Sequence, residues 1–127
     1  MNDSEYKSKL SEEQYSVLIE KATEPPFSGK LLNNHKTGDY RCAACNQVVF
    51  DSSTKFESGS GWPSFYQPKN KKAIRLVDDN SDGMHRTEVV CANCGSHLGH
   101  VFADAYDQPG GQRFCINSLA LDFKEKK

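Results

Sequence analysis

The chain has 127 residues, enough for one domain, with 16 basic and 17 acidic residues and a net charge of −1. That balance excludes a domain-wide basic footprint for nucleic acid. No run approaches the ~18 apolar residues of a membrane-spanning helix. Five cysteines are too few for a disulfide scaffold, and an odd number cannot all pair within one chain.

Residues 1–8 are polar and are expected to be disordered. No apolar stretch follows the N-terminus, so no secretory leader is expected. The expected compartment is the cytoplasm, where thiols stay reduced. Ser11 and Gln14 have the spacing of a capping box, and Leu10 is placed to staple to Tyr15. Tyr15, Leu18, Ile19 and Ala22 then fall on one helical face, until Glu24-Pro25-Pro26 stops the helix. Beyond residue 28 the chain consists of short runs broken by Gly, Pro, Asn and Asp. Strands are expected at Tyr40–Cys42, Val48–Phe50, Ala73–Val77, His85–Cys91, Arg113–Ile116 and Ser118–Phe123. Lys124–Lys127 reads as a charged tail. The expected fold is mainly β, in one domain over residues 9–123, with a short N-terminal helix.

Cys42-Ala43-Ala44-Cys45-Asn46 and Cys91-Ala92-Asn93-Cys94-Gly95 are two C-x-x-C modules. Each ends in a residue that tolerates positive φ, which suits a tight turn whose amides face the sulfurs. Together they offer four thiolates, the closed tetrahedral set that Zn²⁺ prefers in structural sites. Iron would fit the same donors. Two redox dithiols or two disulfides are the alternatives, although a thioredoxin-like dithiol needs a βαβ context that is absent from the pattern. A zinc deaminase is excluded, because it needs H-x-E before P-C-x-x-C, and here His85 and Glu88 are spaced H-x-x-E.

The fifth thiol, Cys115, lies in Arg113-Phe114-Cys115-Ile116-Asn117. On a strand, Arg113, Cys115 and Asn117 share one face, and Phe114 and Ile116 take the other. A guanidinium and an amide beside the thiol favour a nucleophilic thiolate. A buried structural cysteine is the alternative. His97-Leu98-Gly99-His100 lies upstream, and its two imidazoles would face one side if the chain turned at Gly99. They read as proton donors near a reaction centre, or as half-exposed loop residues. The only tryptophan, Trp62, sits between Gly61 and Pro63. It would either wall a pocket or plug the end of the core.

These segments together resemble the B-type methionine sulfoxide reductases. The matching strings are Thr23-Glu24-Pro25-Pro26-Phe27-Ser28-Gly29, both C-x-x-C modules, Gly61-Trp62-Pro63-Ser64-Phe65, His97-Leu98-Gly99-His100-Val101-Phe102 and Arg113-Phe114-Cys115-Ile116-Asn117-Ser118. The resemblance implies two antiparallel sheets, one structural Zn²⁺ on Cys42, Cys45, Cys91 and Cys94, and reduction of methionine-R-sulfoxide, mainly in oxidised proteins. It implies that Cys115 attacks the sulfoxide, that His97 and His100 hold and protonate its oxygen, and that Asn117 orients the reacting groups. Arg113 would favour the thiolate, and Asp104 would polarise the histidines. Trp62, with Phe65, would contact the substrate and discriminate its epimers. Many relatives carry a resolving cysteine where this chain has Ser60. The Cys115 sulfenic acid is therefore expected to be reduced from outside, by thioredoxin, glutaredoxin or a small thiol. A monomer is expected, with no nucleic-acid or membrane partner.

Two competing readings remain. One is a non-catalytic, zinc-stapled module that binds protein or RNA through Lys69, Lys71, Lys72 and Arg75. However, Asp78, Asp79 and Asp82 follow directly, as in a solvated charged face. The other is a protein that binds oxidised methionine peptides without turnover.

Overall fold

The computed structural model describes residues 10–80, 85–105 and 108–125. The N-terminal segment expected to be disordered, residues 1–8, lies outside them. The helix α1 spans Glu12–Leu18. Both halves of the capping box form: Ser11 Oγ accepts from the Gln14 amide, and Gln14 Oε1 accepts from the Ser11 amide, each at 3.1 Å. Its buried residues are Val17 and Leu18, with Tyr15 and Ile19 packed at the edge of the core. Ala22 is exposed. The helix ends well before the prolines. Lys21 turns left-handed at φ 63°, and the Ala22 amide returns to Ser16 O at 2.9 Å. The expected face was therefore one turn too long.

Nine strands follow among the described residues: β1 (Gly38–Cys42), β2 (Val48–Asp51), β3 (Lys55–Phe56), β4 (Ser64–Phe65), β5 (Ile74–Asp79), β6 (Arg86–Cys91), β7 (His97–Phe102), β8 (Arg113–Ile116) and β9 (Leu121–Glu125). They make two antiparallel sheets. One has the order β2-β1-β9 and the other the order β3-β4-β8-β7-β6-β5. Ser118–Ala120, expected as strand, forms a 3-10 turn before β9. Lys124 and Glu125, expected in a free tail, extend β9 against β1.

Aromatic side chains fill much of the core. Phe65 stacks on Phe50 with ring centroids 4.5 Å apart, and its edge meets Tyr40 at 5.0 Å. Phe114 closes on Phe50 at 5.9 Å. Tyr40, Phe50 and Phe65 are fully buried. Since side chains alternate along a strand, placing Phe65 and Phe114 in the core sends Ser64 and Cys115 to the opposite face. The six-stranded sheet thus has an apolar face and a chemical face.

The β7–β8 contact fixes the second of these. Gly99 lies against β8 so closely that a Cβ there would stand 2.0 Å from Cys115 O and 2.9 Å from Ile116 Cα. This glycine is needed for close approach. Gly99→Ala should destabilise the fold by about 3 kcal/mol, read as a fall in urea midpoint, because the clash is with backbone that cannot rotate away. An unchanged midpoint would contradict the register.

Candidate active site and metal centre

The two C-x-x-C modules form matching turns. In one, the Asn46 amide donates to Cys42 O at 2.7 Å, and in the other the Gly95 amide donates to Cys91 O at 2.8 Å. Asn46 and Gly95 have φ of 70° and 78°, the left-handed conformation expected of the residue after each module. One turn joins β1 to β2 and the other joins β6 to β7, so each sheet contributes a sulfur pair. The four Sγ atoms lie within 4.8 Å of one another. Cys42 and Cys94 approach to 3.7 Å, and Cys45 and Cys91 to 3.6 Å. A tetrahedral Zn²⁺ with ~2.3 Å bonds needs sulfurs about 3.8 Å apart, so the donor set fits. Hydrogen bonding with Cys91 and Cys94, reinforced by burial, pushes the Cys42 thiol well up. Bonds with Cys42 and Cys91 push Cys94 well down.

Cys115 lies at the centre of the chemical face, opposite Ser64 on β4 and His100 on β7. It is buried, at 8% exposure. Arg113 Nη1 donates to its sulfur at 2.8 Å. The same guanidinium grips Asp104 through two bonds of 2.9 Å and lies 4.7 Å over the Phe102 ring. Hydrogen bonding to Asp104 pushes the Arg113 pKa further up and holds the exposed Asp104 carboxyl below its usual range. The guanidinium is thus permanently charged and fixed in place beside the sulfur. Ser60 Oγ and Ser64 Oγ complete the surroundings of the sulfur at 3.5 and 3.7 Å.

Two imidazole–carboxylate pairs lie beside it. His100 bonds Asp79 Oδ2 through Nε2, and His97 bonds Glu88 Oε2 through Nδ1, both at 2.8 Å. Residues three apart on a regular strand face opposite ways. Here β7 opposes His97 to Val90 and Gly99 to Val89, leaving Leu98 as an extra residue. That bulge restores both histidines to the same face, with rings 5.4 Å apart. The chain bulges at Leu98, then, and does not turn at Gly99. Only His100 reaches the cleft over Cys115, where Thr23, Trp62, Arg86, Phe102 and Asn117 join it. His97 is 2% exposed, and burial holds its pKa below the usual value despite the opposing pull of Glu88.

The segment after α1 supplies the remaining support. Glu24 is buried and holds three partners. Its amide donates to Asn117 Oδ1 at 3.0 Å, its carbonyl accepts from Trp62 Nε1 at 2.9 Å, and its Oε1 accepts from the Leu119 amide at 2.9 Å. Asn117 Nδ2 donates to Leu98 O at 3.0 Å. Trp62 and Asn117 are thereby locked against one scaffold residue before any ligand arrives.

A family profile described as "SelR domain" matches residues 10–125. The chain belongs to this family, the B-type methionine sulfoxide reductases. Proteins named peptide methionine sulfoxide reductase MsrB are similar to it along almost its whole length. The Methanosarcina mazei protein is 55% identical, covering 99% of this chain and 89% of its own length. The Methanosarcina barkeri protein is 54% identical over 99% of this chain and 88% of its own. That of Leifsonia xyli is 51% identical over 97% of this chain and 88% of its own. The chain is an enzyme of methionine sulfoxide reduction, and its four clustered cysteines are suited to a metal ion.

The reductase brings Cys115, Arg113, His100, Asn117 and Trp62 together. Two expected placements differ. Phe65 is fully buried, stacked on Phe50 and edge-on to Tyr40, so it does not line the cleft. Asp104 forks onto Arg113, and the carboxylates on the histidines are Asp79 and Glu88. Sequence reasoning also passed over Glu24, Arg86 and Ser64. Glu88 did leave a signal, as a carboxylate directly before the apolar run Val89-Val90-Cys91. Glu24, Asp79 and Arg86 look like ordinary surface charges in sequence.

Two predictions follow from this geometry. The purified protein should carry one metal ion per chain by elemental analysis. Cys42→Ser or Cys91→Ser should lose the ion and lower Tm by roughly 10 °C, the scale of ~3 kcal/mol in a domain this size. Four titratable thiols without metal would contradict it. The second concerns His97, whose folded pKa lies below the ordinary ~6.5, so the folded state favours the neutral ring. Its contribution to stability is present above about pH 6.5 and is lost as pH falls through the lowered folded value. Its NMR titration should have a midpoint below 6.5, and Glu88→Gln should lower it further. A midpoint above 6.5 is the contrary result.

Proposed function

We propose that the chain reduces the R epimer of methionine sulfoxide, mainly in oxidised proteins, with Cys115 as nucleophile. The observation that carries this reading is the Arg113 guanidinium 2.8 Å from the Cys115 sulfur, in a cleft with His100 and Trp62. The thiolate attacks the sulfoxide sulfur, and a proton goes to the sulfoxide oxygen. The hydroxyl then passes from the substrate sulfur to the Cys115 sulfur: the substrate S–O bond and the transient S–S bond break, an S–OH bond forms on Cys115, and methionine leaves. His100 is the proton donor beside the sulfur, with Asp79 orienting its ring. His97 acts from behind it, neutral and buried. Asn117 spends its oxygen and one amide hydrogen on the backbone, which leaves one amide hydrogen for the substrate. Trp62 packs on the S-methyl group, so exchanging methyl and oxygen would put the oxygen against the indole. Asp104 is a positioning residue, because it holds Arg113.

Ser60 Oγ is 3.5 Å from Cys115 Sγ, so a thiol at this position would be within reach, but a hydroxyl cannot resolve a sulfenic acid. The resolving thiol therefore comes from outside. One external thiol forms a mixed disulfide with Cys115 and releases water, and a second thiol frees the enzyme. Thioredoxin, glutaredoxin or a small thiol would serve. Cys42, Cys45, Cys91 and Cys94 would hold Zn²⁺, which would supply stability there and take no part in the chemistry. No helix among the described residues is long and apolar enough to cross a membrane. A cytoplasmic monomer fits the reading.

With dithiothreitol, the wild type should turn over only the R epimer of a methionine sulfoxide peptide, and Cys115→Ser neither epimer. Arg113→Ala should lower kcat/KM about 10- to 100-fold, the scale of one lost charge-assisted hydrogen bond. Equal turnover of both epimers, or activity that survives Cys115→Ser, refutes the mechanism.

A further inference from the structure

Phe27 is the most exposed large apolar side chain among the described residues, at 70%. It also holds a left-handed backbone, φ 65°, which is costly for a bulky residue. That conformation is pinned by its amide, which donates to Gly61 O at 2.7 Å. Gly61, at φ 95°, permits the contact. A Cβ there would stand 2.6 Å from Pro26 Cβ and 3.1 Å from the Phe27 ring. Two adjacent loops are thus constrained to hold an aromatic ring outside the core.

The ring borders a depression whose other walls include Leu32, Phe56, Trp62 and Ser64. Trp62 is also a wall of the Cys115 cleft, and Ser64 Oγ lies 3.7 Å from the Cys115 sulfur. One indole therefore separates two depressions, one with the reactive sulfur and one lined by apolar rings. In an extended peptide, residues two apart point the same way, about 7 Å from each other. When one side chain enters the first depression, its neighbour two positions along lies over the second.

We infer that the Phe27 shelf is a subsite for the polypeptide around the oxidised methionine, and that it takes an apolar side chain two residues from the sulfoxide. This rests on the proposed reduction of protein-bound methionine sulfoxide. The shelf adjoins that cleft across the Trp62 indole.

The test compares two hexapeptides with one methionine-R-sulfoxide, carrying either leucine or serine at the positions two residues away. For the wild type, kcat/KM should be about three- to tenfold higher with leucine, the range of a single aromatic contact. Phe27→Gly relieves the left-handed strain, so it should keep or raise Tm while bringing the leucine-to-serine ratio to about one. Phe27→Tyr should preserve the ratio. A wild-type ratio near one, or a ratio that survives Phe27→Gly, overturns the inference. Wild-type failure to turn over either hexapeptide would instead sink the proposed function itself.

Discussion

The register of β8 between β4 and β7 is the constraint on which the site depends. With Ser64 and His100 opposite Cys115, the thiol lies on the face that also carries Arg113, Phe102, Glu88, Arg86 and Asp79. The period of two makes this all-or-none. A slip of one residue would bury Cys115 with the aromatic core and expose Phe114 and Ile116. Burying those two apolar side chains against Phe50 and Phe65 therefore holds the nucleophile outward. Packing energy on one face sets the chemistry on the other.

Two local devices complete the arrangement. The bulge at Leu98 brings His97 into line with His100. Glu24 draws the segment after the helix over the sheet, fastening Trp62 and Asn117 at the cleft. The four-sulfur cluster acts at a greater distance. A metal ion on it would tie the β1–β2 turn to the β6–β7 turn and hold the two sheets in relation without a large core. This suits a chain in which hydrophobic residues make up only 36%.

Much of this was legible in the sequence. The capping box at Ser11, the strand Arg113–Ile116 and the shared face of Arg113 and Cys115 all follow from local patterns that packing reinforced. The left-handed residues after each C-x-x-C were legible for the same reason. The bulge was not, because it depends on how β7 pairs with β6, not on its own residues. Nor were β3 and β4, which have two residues each and no period to detect. The resemblance implies a substrate contact for Phe65, yet its alternation with Ser64 places it in the core. The resemblance implies that Asp104 polarises the histidines. A guanidinium fork offers two charge-assisted bonds, and that stronger claim takes it.

The odd fifth cysteine carries the account, with Ser60 leaving it no partner thiol outside the four-sulfur cluster. The most direct measurement is mass spectrometry of the metal-loaded enzyme after one turnover of methionine-R-sulfoxide without reductant, with a sulfenic-acid trap present. The account predicts one trapped adduct, on Cys115, with Cys42, Cys45, Cys91 and Cys94 unmodified. A stoichiometric disulfide between Cys115 and any of those four, or an adduct elsewhere, would contradict it.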